Sequence, residues 1–103
     1  MRVKENEQRR AWRSQLRLGL TYEGAGVRAA TRISDISVAG VFIDTNSAVP
    51  AGSHLKLTFT LPDGHTVHTD GVVIHNQPRS GIGVKFLNLD PEDARRIRTF
   101  IRA

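Results

Sequence analysis

Short runs in which apolar side chains recur at every second position, each closed by turn residues, constrain this chain more than any other feature. That alternation is the spacing of a strand with one buried face. Leu16, Leu18, Leu20 and Tyr22 share a face of a first strand that starts near Gln15, and Glu23-Gly24-Ala25-Gly26 turns the chain. A second strand spans about 27–36, with Val27, Ala29, Thr31 and Ile33 on one side. Gly40 opens a short third strand, 41–44, which ends in a polar loop through Pro50-Ala51-Gly52. A fourth alternates Leu55, Leu57, Phe59 and Leu61 with Lys56, Thr58 and Thr60. Pro62-Asp63-Gly64 reads as a hairpin turn, Pro being pre-set for its first corner. A fifth strand covers about 65–75, and Asn76 to Gly81 returns the chain into a sixth, 82–87. Several short strands with regular turn signals predict an all-β barrel or sandwich.

The period then changes. Asp90 suits an N-cap, Pro91 the first helical position, and Glu92 and Asp93 the first turn. Ala94, Ile97 and Ile101 recur at helical spacing, which predicts an amphipathic helix over 91–102 packed on the strands, with Phe100 beside them. Arg95, Arg96, Arg98 and Arg102 are expected to face water.

At 103 residues there is room for one core. The net charge of +5 is uneven: residues 1–32 hold eight Arg or Lys against three Glu, and the remainder sums to zero. Residues 1–13 lack apolar periodicity and read as a flexible basic arm preceding a domain over 14–103. Such an arm attracts anions, although a charged arm also serves solubility alone. No apolar run is long enough to span a membrane, and the charged start, Met1 to Glu7, does not read as a secretory signal. The absence of cysteine is compatible with a reducing compartment.

Two polar clusters carry the functional information. Arg9 and Arg13 lie four apart in the arm, about 13 Å if extended and on one face if helical. Guanidinium forks donate in parallel to phosphate or to guanine O6 and N7, and Arg10 adds charge and a flat stacking surface. The second cluster is Asp35-Ile36-Ser37-Val38-Ala39-Gly40. Side-chain period two sets Asp35 and Ser37 on the same side, and Gly40 permits a close backbone approach. A carboxylate accepts from guanine N1–H and N2–H, while a hydroxyl and backbone N–H groups bond phosphate or ribose. The same hexapeptide also reads as a turn closed by Asp and Ser on their own backbone.

In this order, and followed by this strand pattern, the two clusters resemble the motifs of the PilZ domain family, bacterial receptors for the second messenger cyclic di-GMP. Arg9 and Arg13 match its Arg-x-x-x-Arg motif, and Asp35, Ser37 and Gly40 its Asp/Asn-x-Ser-x-x-Gly motif. The similarity continues in Leu61-Pro62-Asp63-Gly64, Gly81-Ile82-Gly83-Val84-Lys85-Phe86 and Leu89-Asp90-Pro91-Glu92-Asp93. The resemblance implies a six-stranded antiparallel β-barrel with a C-terminal helix, the arm folding over the barrel mouth around the ligand. It implies a non-enzymatic receptor in the bacterial cytoplasm, without cofactor, that signals through a separate effector protein. Arg9 and Arg13 would hold phosphate and a guanine Hoogsteen edge, Asp35 and Ser37 the other edge and nearby oxygens, and Gly40 would shape the turn. Arg10, and His75 where relatives often carry tryptophan, are candidate stacking surfaces; a half-wet strand end is the other reading of His75. Family members take one cyclic dinucleotide or two, and an arginine preceding the first motif position accompanies the second mode; Gln8 stands there in this chain. The alternative is an interaction module of the same fold that binds no nucleotide. Whether the chain forms a homodimer stays open.

Other signals are weaker. His65 and His68 point to opposite faces of a strand, and no carboxylate set completes a metal site. Gly81-x-Gly83 lacks the helix and third glycine of a dinucleotide fingerprint. Ser37 has no histidine at a suggestive spacing, so no catalytic residue is expected. Trp12 is expected to anchor the closed arm on apolar barrel surface, or to stack on a base. Sparse aromatics argue against a single-strand nucleic-acid binder, so no specific nucleic-acid partner is expected.

Overall fold

The computed structural model describes residues 18–102. The arm, with Arg9, Arg10, Trp12 and Arg13, and the first positions of the expected first strand lie outside the described residues. Six strands follow: β1 (Leu18–Gly24), β2 (Val27–Ile36), β3 (Gly40–Asp44), β4 (His54–Thr60), β5 (Thr66–Gln77) and β6 (Gly81–Leu87). A helix, α1 (Pro91–Arg102), completes the described chain. All strand pairs are antiparallel, and the order β1-β2-β3-β6-β5-β4 closes into a barrel. Closure satisfies every strand edge, so the sheet offers no free ladder for another chain.

Alternation fills the interior. Val41 pairs with Val84 and Val84 with Val73, and all three are buried. Ile33, Ile43 and Ile82 form the next inward row. Tyr22 is fully buried, and its hydroxyl meets Thr45 Oγ1 at 2.9 Å, so its one polar atom costs little. Asp90 caps α1 through its carboxylate, which accepts the Glu92 N–H at 2.8 Å. Ile97 is fully buried in the barrel core, and Leu89, Phe100 and Ile101 pack against the same core. Burying that side chain stabilises the docked helix by about 2–3 kcal/mol.

The register places four features at one end of the barrel: the start of β1, the β2–β3 turn, the β4–β5 turn and the exit from β6 into α1. At this end α1 is fastened to the β4–β5 turn. His65 Nε2 lies 2.6 Å from Asp93 Oδ1, and Arg96 donates to Asp63 at 2.9 Å. Arg96 thus keeps contact with water, as expected, but also ties the helix to the turn. It is half-buried and also donates to Glu92 at 2.9 Å. Packing of Ile97 brings Asp63 alongside the helix, and a long-range pair of that kind leaves no trace in helical periodicity. Arg95, Arg98 and Arg102 are exposed, as expected.

Candidate functional site

An open groove of about 360 Å³ lies on the outer face of the barrel, over β2, β3, β6 and β5 and the β2–β3 turn. Its size falls within the roughly 300–1,000 Å³ usual for small-molecule sites. Asp35, Ser37 and Gly40 all line it, so the fold brings the second motif together at one surface. Phe42, Ile74, Gly83 and Lys85 line it too.

Two bulges build this surface. Between the pairs Ile33↔Ile43 and Asp35↔Phe42, β2 carries one extra residue, Ser34, whose hydroxyl donates to the Phe42 carbonyl at 3.3 Å. Strict alternation would set Asp35 on the inward face shared by Ile33. The inserted residue turns Asp35 outward and sends Ile36 into the core. On β5 the extra residue is Ile74, between Val73↔Val84 and His75↔Gly83. His75 thereby leaves the inward face of Val73 and is exposed. The result is a row of neighbours across four strands: Asp35, Phe42, Gly83 and His75.

Within the β2–β3 turn, the Ser37 N–H donates to the Gly40 carbonyl at 2.9 Å, and the Ala39 N–H donates to Ser37 Oγ at 3.0 Å. Asp35 Oδ1 accepts the Ile36 N–H at 2.9 Å. The Phe86 N–H reaches the Ala39 carbonyl at 2.9 Å, which ties the turn to β6. These bonds make the self-closed turn a real part of the motif, and they fix Ser37 with its hydroxyl at the groove. Gly40 has a structural reason of its own: a Cβ there would collide with the Val84 carbonyl oxygen.

His75 is not among the residues that line the groove; it stands beside it, next to Gly83 and Phe42, which do. Its ring lies over Gly83, where a Cβ would stand 3.1 Å from Nε2, and its centroid is 6.2 Å from that of Phe42 at a tilt of 47°. Gly83 leaves room for that ring. Val38 and Ile74, at 40% and 55% exposure, are the exposed large apolar side chains of the described residues, and both adjoin the groove. Phe42, Ile74 and Lys85 are absent from the sequence-derived candidates. Outward alternation on β6 was the available signal for Lys85, whereas the Ile74 bulge has none. Among the described residues, no three His, Cys, Asp or Glu side chains gather as a metal site, and no helix is long and apolar enough to cross a membrane.

A closed barrel with a docked C-terminal helix and a groove beside this motif define a small class of domain. The chain belongs to the PilZ domain family, whose model matches residues 7–103. Among solved structures it is similar to that of the Bacillus subtilis inhibitor of motility, MotI/DgrA, with a TM-score of 0.71 and 20% identity. The alignment covers 84% of this chain and 46% of that one, so the likeness is one of fold over about half of the larger protein. No curated protein matches the chain.

Proposed function

We propose that this domain is a non-enzymatic receptor for cyclic di-GMP, binding with Arg9 and Arg13 from the arm and Asp35 and Ser37 from the barrel. The observation that carries this reading is the position of Leu18, where the described chain enters the barrel. Leu18 pairs with Ile33, two residues before Asp35, so this point of the chain lies within about 10 Å of Asp35. Arg13 stands five residues earlier and Arg9 nine, giving extended reaches of about 17 Å and 30 Å. Both span the distance to the groove. Asp35 and Ser37 offer an acceptor and a hydroxyl for the guanine edge and ligand oxygens, and His75 and Phe42 offer ring surface. Arg10 adds a further charge or stacking face.

Membership in a family of generally non-catalytic receptor domains supports the absence of a chemical step. Ligand charge then draws the arm over the groove, and the surface so formed or covered changes affinity for a separate effector protein. A second reading, a protein-interaction module without nucleotide, draws on exposed Val38 and Ile74.

Calorimetry separates the two. Cyclic di-GMP should saturate the wild-type protein selectively over GTP, cyclic di-AMP and a single-stranded oligonucleotide. Arg9→Ala and Arg13→Ala should each lose about 1.5–3 kcal/mol, the scale of a charged hydrogen bond. Undiminished affinity in both variants contradicts the receptor reading.

A further inference from the structure

We propose that Lys85 is a ligand-binding residue that neutralises a phosphate at the Ser37–Gly40 end of the groove; this rests on the receptor reading above. The groove lining carries two charged side chains among the described residues, Asp35 and Lys85, against an otherwise largely apolar surface. Lys85 is exposed on the outer face of β6, and its cross-strand neighbours are Gly40 and Val72. Gly40 has no side chain, so the lysine stem can lie across it toward the Ser37 hydroxyl. The bond from the Phe86 N–H to the Ala39 carbonyl holds that turn beside Lys85.

Two other outward strand cations have acidic neighbours: Lys56 lies 3.7 Å from Asp70, and Arg32 lies 3.9 Å from Asp44. No carboxylate of the described residues stands in that relation to Lys85. Ser37 Oγ accepts from Ala39, leaving its own proton to donate to a ligand oxygen next to the ammonium. An ammonium acts on phosphate as a mobile point charge, complementing the planar forks of Arg9 and Arg13. The ligand class is a phosphodiester-bearing cyclic dinucleotide, and the lysine favours it over uncharged guanine compounds.

The test is calorimetry with cyclic di-GMP at low and high salt on the wild-type protein, Lys85→Gln, Lys85→Arg and Arg13→Ala. Lys85→Gln should weaken binding about tenfold and flatten its salt dependence, while Lys85→Arg returns affinity to within about threefold. Wild-type affinity and salt dependence in Lys85→Gln, alongside loss in Arg13→Ala, overturn the assignment and leave the receptor reading standing. Weakening in Lys85→Gln with unchanged salt dependence and no rescue by arginine also overturns it. Absence of binding by the wild-type protein contradicts the receptor reading, and this assignment with it.

Discussion

Two turns at the same end of the barrel contain an aspartate and a glycine, and the fold uses them differently. In the β4–β5 turn the Leu61 carbonyl accepts the Gly64 N–H at 2.9 Å, and Asp63 Oδ1 accepts the His65 N–H at 2.9 Å. Its polar groups then turn to α1, through Asp63–Arg96 and His65–Asp93. In the β2–β3 turn, the bonds of Ser37 stay within the hairpin, and Asp35 and Ser37 line a groove. One acidic turn fastens a helix, and the other borders an open groove. The residue types alone do not separate them.

The largest expected effect lies under the fastened turn. Ile97→Ala should cost about 2–5 kcal/mol in chemical denaturation, because a fully buried side chain is removed from the core that holds α1. Gly40→Val should cost about 1–3 kcal/mol through its collision with β6, and cyclic di-GMP affinity should fall too. Asp35→Ala and Asp63→Ala sharpen the contrast. The first should weaken ligand binding tenfold or more in calorimetry. The second should leave binding within about twofold while lowering the melting temperature slightly. An exchange of those two phenotypes would break the comparison.

The smallest effect is with pH. Hydrogen bonds from Arg95, then Arg96, hold the Glu92 carboxyl down at about 2, and the His65 N–H, then Arg96, lowers that of Asp63. Folded values below unfolded ones mean stability that is complete above the ordinary carboxylate range, near 4.5 for Glu92, and lost as pH falls toward about 2. Glu92→Gln should flatten the decline in melting temperature over that window and leave ligand binding at neutral pH unchanged.

The barrel was largely legible in the sequence, because its strands alternate and its turns carry Pro, Gly, Asn and Asp where direction changes. The helix was equally plain from Asp90, Pro91 and the Ala94–Ile97–Ile101 spacing. Strand ends differ by a residue or two: β4 starts at His54, and β5 runs on to Gln77. The groove was less legible. Alternation carried through Ile33 points Asp35 inward, and through Val73 points His75 inward. The bulges at Ser34 and Ile74 reverse both, and a bulge is a property of strand pairing with no local residue signature here. The Arg96–Asp63 pair was not legible for a similar reason, its partners being distant in sequence. The motif itself was visible as a resemblance, and its Asp35, Ser37 and Gly40 do meet at one surface.

Backbone amide shifts recorded by NMR during a cyclic di-GMP titration test the central claim most directly. The account predicts saturable changes concentrated at Asp35–Gly40, Gly83, Lys85 and His75, with Leu61–His65 and α1 much less affected. No change at excess ligand, or changes centred on Leu61–His65 with the β2–β3 turn silent, would contradict it.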